Sequence, residues 1–257
     1  MQTKNKILFL FILTYLFPCC SGKQTYAEIN PGLQIQRFDC DLYHYLIDNE
    51  PDSCLNKDSA FLNEFGKNVI RIGLPDSSGF YDRLKNFFSE PTLMKLYRDE
   101  QEKFTDISSI NQELADGMAV LLQHFPALKQ PELYFHVSGL NQNVIVTDDL
   151  LSISADKYMG VDYPLYQDFF YDYQRQLMSP DRIVPDALLG FLTANFHFKG
   201  KHEILLDNIV YQGKLRYFIS QLLPERKIWE YVGYNAEQYA WCSSNEARIW
   251  KFILENK

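Results

Sequence analysis

Two periods of hydrophobic and polar positions divide the chain. From residue 58 to 126 apolar residues recur three and four apart, which predicts helices. Phe61, Leu62, Phe65, Val69 and Ile70 form one stripe over 58–72. SSGFYDRLKNFFSEP holds a second helix closed by Pro91, and PTLMKLYRDEQEKF continues as helix. ISSINQELADGMAVLLQHFP gives the clearest stripe, Leu114, Met118, Leu121 and Leu122, with Ser109 as its candidate cap and Pro126 as its stop.

Two segments break this rhythm. IQRFDCDLY (35–43) alternates, with Ile35, Arg37, Asp39 and Asp41 on one side and Phe38, Cys40 and Leu42 on the other, and reads as a short strand. ELYFHVSGL (132–140) and NVIVTDDLLSIS (143–154) are rich in β-branched and aromatic residues and flank Asn141-Gln142, which predicts a hairpin at the centre of an antiparallel sheet. Helical spacing returns from Tyr163 through Tyr166, Phe169, Phe170, Tyr173 and Leu177. Beyond Pro180 and Pro185, LLGFLTANFHFKGKHEILLDNIVYQGKLRYF (188–218) reads as helix, short polar break and helix. Asn235 followed by Gln238 is a capping pair, and Ser244 is the candidate cap of a last helix, NEARIWKFILEN. The expected fold is α+β: one mostly helical domain packed on a small antiparallel sheet.

The first residues change the picture of where such a domain works. Lys4 and Lys6 precede the apolar run ILFLFILTYLF, which is followed by Pro18-Cys19-Cys20-Ser21-Gly22. A basic start, a short apolar run and a small-residue exit form a secretory signal. The run is shorter than the ~20 apolar residues of a spanning helix. Cysteine at the exit resembles a bacterial lipoprotein box, with Cys20 as the expected lipid-bearing residue and Cys19 as the alternative. A plain cleaved secretory protein is the other reading. The expected organisation is a signal peptide over 1–19, a lipidated tether over 20–32 and a domain over 33–257. Several acyl chains would hold the protein to a bilayer, since each buried methylene contributes about 0.8 kcal/mol.

Charge and cysteine usage narrow the partners. The chain carries a net charge of −8, and removing 1–19 takes away Lys4 and Lys6 and no acid, leaving 23 basic against 33 acidic groups, a balance of −10. Nucleic acid is not an expected partner, because it needs clustered Lys and Arg. Cys40, Cys54 and Cys242 form no C-x-x-C pair and no disulfide framework, although a Cys40–Cys54 bridge is conceivable in an oxidising compartment.

Several phrases occur together and in order: IQRFDCDLY, LSISADKYMG, SPDRIVPDALLG, LLDNIVYQGKLRYF and GYNAEQYAW with NEARIW. In this the chain resembles the GldB-type gliding-motility lipoproteins of the Bacteroidetes. The resemblance implies a lipid-anchored protein of the cell envelope, at the outer membrane, associated with gliding or the secretion machinery that gliding requires. It implies binding of another envelope protein, and no cofactor. Family members continue past the last tryptophan-bearing helix, so it also implies that a chain ending at Lys257 lacks a C-terminal portion.

The family is distantly similar to gluzincin-type zinc peptidases, which raises the question of a degenerate zinc site. Such a site needs H-E-x-x-H on one helix, so that residues i and i+4 reach one ion, with the glutamate as general base. The matching string here is Thr193-Ala194-Asn195-Phe196-His197, with Gln212 at the third-ligand position. One ligand remains and the base is gone, and Thr and Gln are poor zinc ligands. The expectation is a non-enzymatic protein without metal. The alternative is a pseudo-peptidase scaffold that holds peptide or protein without cleaving it.

Other groupings have plainer readings. His197 and His202 fit a solvated turn better than a metal clip. Asp148, Asp149 and Asp156 lack the ligand spacing of a calcium loop. Asp39 and Asp41 read as a solvated strand edge rather than an acid pair. The aromatics Tyr163, Tyr166, Phe169, Phe170, Tyr171 and Tyr173, and those of IWEYVGYNAEQYAW, read as core packing, with sugar stacking or a protein interface as alternatives.

Overall fold

The computed structural model describes residues 33–48 and 50–255. The expected signal peptide and tether, with Cys20, lie outside the described residues. In chain order the elements begin with β1 (Ile35–Arg37), α1 (Phe38–Ile47), α2 (Ser59–Glu64), α3 (Phe80–Phe88), α4 (Pro91–Lys103) and α5 (Ser108–His124). Then come β2 (Glu132–His136), β3 (Val144–Val146), β4 (Leu150–Ser154), α6 (Tyr166–Phe169), α7 (Asp172–Arg175) and α8 (Ile183–Asn195). The chain closes with α9 (Leu205–Leu222), α10 (Ile228–Val232), α11 (Ala236–Ser244) and α12 (Glu246–Glu255).

The α+β class is as expected, but the sheet is mixed rather than antiparallel. Its order is β1-β2-β4-β3; β1, β2 and β4 run parallel, and only β3 is antiparallel to its neighbour β4. The predicted hairpin across Asn141-Gln142 is therefore corrected. The carboxylate of Asp156 accepts from the backbone N–H of Ser138 (3.0 Å) and Leu140 (2.7 Å), and Gly139 and Leu140 both take positive φ. This loop turns the chain out of the sheet after β2, and β3 enters beyond β4. The actual hairpin joins β3 to β4 through Asp148-Asp149, closed by Thr147 N–H on Leu150 O at 2.9 Å.

The sheet lies between two apolar layers, which explains why β4 is buried on both faces. Leu133, Phe135, Leu151 and Ile153 face Leu114, Met118, Leu188 and Ile219. Tyr134 and Leu150 face Phe38, Phe61, Phe65, Leu84 and Tyr97 on the other side.

Local departures have local causes. The strand expected over 35–43 stops at Arg37, because Phe38, Leu42 and Tyr45 lie at i, i+4 and i+7 and all three are fully buried on α1. Pro91 opens α4, with Glu90 Oε2 accepting from Leu93 N–H at 2.7 Å. Ser109 does not cap α5; Asp106 Oδ1 instead accepts from Ser108 N–H at 2.8 Å. Ser244 belongs to α11 and bonds back to Ala240 O, while the Asn235–Gln238 capping box forms as expected. The helix expected from Tyr163 to Leu177 is two single turns, α6 and α7, separated by extended backbone at Phe170 and Tyr171. Among the described residues no helix is long and apolar enough to cross a membrane.

Candidate functional site

The α8–α9 hairpin carries the positions singled out in the sequence. The α8 residues Ile183, Val184, Ala187, Leu188, Phe191 and Leu192 are buried, which fixes the helix against the sheet. The helix ends at Asn195, whose Nδ2 donates to Phe191 O at 2.9 Å. His197 therefore lies past the helix end rather than on it, and the i, i+4 relation to Thr193 is not helical. Thr193 is exposed and donates back to Leu189 O at 2.7 Å; Ala194 is exposed beside it. Gln212 is exposed on α9 and accepts from the Arg216 guanidinium through Oε1. Among the described residues no group of three or more His, Cys, Asp or Glu could hold a metal ion.

Below the α8–α9 loop runs a groove of about 790 Å³. The loop folds onto α9 through aromatic contacts. Phe198 lies 5.2 Å from the Tyr211 ring, and Tyr211 OH donates to Phe196 O at 2.8 Å. Phe125, at the end of α5, meets Phe196 edge-on at 4.8 Å and Phe218 at 5.3 Å. His197, Lys199, Lys214 and Asp207 share the lining with these apolar walls, but Thr193 and Gln212 do not.

A second feature is an uncovered aromatic face. Tyr166 is buried and Phe170 packs on the core, but Phe169, Tyr171 and Tyr173 are 64%, 72% and 68% exposed. This corrects the core reading for those three. The Tyr171 and Tyr173 rings stack at 5.9 Å with 10° between their planes. The segment that follows α7 adjoins α10 and α11. Leu177 lies so close to Gly233 that a Cβ there would be 2.6 Å from Leu177 Cδ2, and Gln176 accepts from Gln238 at 3.5 Å. Tyr231 is buried as the core reading expected, whereas Tyr234 and Trp241 are exposed. Neither α11 nor α12 has a buried residue, and Trp250, Phe252 and Leu254 of α12 are exposed as well.

A sequence profile of the family described as gliding motility protein GldB matches residues 20–257. The chain belongs to this family. No curated protein and no solved structure matches it. As a GldB-family member it is an envelope lipoprotein associated with gliding motility.

The ionisable groups of this GldB-family chain are mostly engaged in holding the fold. Asp39, fully buried, is gripped by the Arg37 guanidinium at 2.6 Å and by Gln101 Nε2 at 3.2 Å, so it is no solvated edge. Asp41 pairs instead with Lys57 at 2.7 Å. Asp149 pairs with Lys129 in the hairpin turn, whereas Asp156 accepts from Ser138 N–H. Cys40, Cys54 and Cys242 are free thiols; burial, then the Asp39 charge, pushes the Cys40 thiol up to about 12.

Two buried groups escaped the sequence reading. Glu100 is fully buried with Oε1 unpartnered among the described residues, and burial followed by the Asp39 charge raises its pKa well above the carboxylate range. Its signal was a glutamate on the Leu96, Tyr97 stripe of α4. His136 is fully buried between Phe61 and Phe65, with Nδ1 2.6 Å from Ser152 Oγ and Nε2 unpartnered among the described residues; burial lowers its pKa to about 3. Its signal was a histidine inside the apolar run LYFHV.

Proposed function

We propose that this GldB-family lipoprotein works without catalysis, by binding another envelope protein through the aromatic face of α6, α7, α10 and α11. The observation that carries the reading is the exposure of Tyr171, Tyr173 and Trp241 on adjoining elements. Tyr and Trp dominate the binding energy of protein interfaces because they combine large area, few rotatable bonds and a polar tip. Large contiguous apolar patches on a soluble body mark interaction sites.

The alternative, a former peptidase cleft that holds a peptide, has one supporting feature, the presence of His197 in the groove lining. The other remnant positions, Thr193 and Gln212, bond within their own helices outside that lining. The aromatic face is therefore the preferred contact surface.

A variant carrying Tyr171→Ser, Tyr173→Ser and Trp241→Ser tests the reading. It should keep the wild-type unfolding temperature and membrane association but lose the protein that co-purifies with the wild type from native membranes. Retention of that protein by a folded triple variant would reject the reading.

A further inference from the structure

The groove under the α8–α9 loop is separate from the aromatic face and asks for its own ligand. Its walls are Phe125 just past α5, Leu192 of α8, Val210 and Phe218 of α9, and the α8–α9 loop residues 196–200. At its edge Leu206 and Val210 are 42% and 44% exposed, so apolar surface meets water there. The volume of about 790 Å³ falls within the range of small-molecule sites.

The charge around the groove runs against that of the whole chain. The body is acidic, yet the loop over the groove reads HFKGKH, two lysines and two histidines without an acid. Lys199 and Lys214 both line the groove with His197. The one acidic group in the lining, Asp207, accepts from Lys201 N–H at 2.9 Å, and that bond offsets part of its charge. An apolar trough with a cationic margin complements a molecule with an apolar tail and an anionic head.

A peptide is the weaker match. The α8 and α9 walls have their backbone groups bonded internally and present no strand edge to pair with an extended chain, and of the loop only residues 196–200 reach the lining. A peptide lying along them would bury amides without partners, at a cost of about 1–3 kcal/mol each. An aliphatic tail has no such groups. We propose that the groove binds the tail of a single-chain anionic amphiphile, taken up as a monomer, with its head among Lys199, Lys214 and His197.

The test is calorimetric titration of the purified full chain carrying Cys20→Ser, so that no attached lipid competes. The probes are laurate below its micelle concentration, dodecanol, and a peptide of alternating leucine and glutamate. Laurate should bind saturably and more tightly than dodecanol. Val210→Asp should weaken laurate about tenfold or more, because it sets a charge against the tail. The pair Lys199→Glu and Lys214→Glu should weaken laurate and leave dodecanol little changed. These positions are solvent-accessible, and an unchanged thermal unfolding curve confirms the fold; if Val210→Asp unfolds, the lysine pair carries the test alone. Absence of saturable laurate binding, equal affinity for dodecanol, indifference to the folded variants, or tighter binding of the peptide would each overturn the proposal.

Discussion

Gly190 of α8 lies directly against Val144 of the edge strand β3: a Cβ on Gly190 would stand 2.9 Å from Val144 Cγ1. This contact lets α8 settle closely on the sheet. Gly213, in the middle of α9, has nothing within 4 Å of the same construction. The two glycines should answer oppositely to alanine. Gly213→Ala should stabilise by about 0.5–1 kcal/mol through helix propensity. Gly190→Ala gains the same propensity but forces a stiff β-branched neighbour to move, and overpacking typically costs about 1–3 kcal/mol. Denaturant unfolding should therefore show Gly190→Ala less stable than wild type, and a stabilised Gly190→Ala would contradict the close packing.

His136 gives a pH dependence whose sign is fixed by its burial. In the unfolded chain it protonates near 6.5, whereas in the fold it stays neutral down to about 3. Between those values the unfolded state binds the extra proton, so the stabilisation is complete above 6.5 and is lost as pH falls. From pH 6.5 to 5 the loss is roughly 2 kcal/mol. Glu100, Asp156 and Asp186 act oppositely: burial raises their carboxyls, so they weaken the fold as pH rises above the ordinary carboxylate range. Comparison with His136→Gln isolates the histidine. The wild type should lose more stability than the variant across pH 6.5 to 5; parallel curves would show that His136 is accessible to protons in the fold.

The helices of 80–124 and 183–222 were legible because one apolar face of each packs inward, as with Leu114, Met118 and Leu121. The strand over 35–43 was misread because IQRFDC alternates by chance, while Phe38, Leu42 and Tyr45 already held the helical interval. The parallel pairing of β2 and β4 depended on the Asp156 cage around Ser138 and Leu140, a contact across eighteen positions that no local pattern displays. Tyr166 and Tyr173 share the same spacing, yet one is buried and the other exposed, because the break at Phe170-Tyr171 rotates the second turn away. The candidate positions Thr193, Ala194, His197 and Gln212 were locatable, but the end of α8 at Asn195 was not.

That helix end governs zinc. We expect the purified chain to take up no stoichiometric zinc and to cleave no peptide, and His197→Ala to leave its metal content unchanged. Introducing the groups of a zinc site with Thr193→His, Ala194→Glu and Gln212→Glu should still give no tight site, because His197 does not follow Thr193 on a continuous helix. Elemental analysis decides both points. One zinc per chain in the triple variant would mean that the hairpin can bring these positions together.

The lipid anchor is tested apart from the fold. Cys20→Ser should move the protein from the membrane to the soluble fraction and remove the mass of the acyl chains. Unchanged retention and mass would contradict attachment at Cys20, and loss of both only in Cys19→Ser would shift the site by one residue.

The claim that the aromatic face is the working surface is tested most directly by photo-crosslinking in intact cells. A photoreactive amino acid would replace Tyr173 or Trp241 on that face, and, as a control, the exposed Asp82 of α3 in the opposite helical layer. The account predicts a discrete crosslinked envelope protein from positions 173 and 241 and none from position 82. Equal crosslinking from all three positions, or crosslinking from position 82 alone, would contradict it.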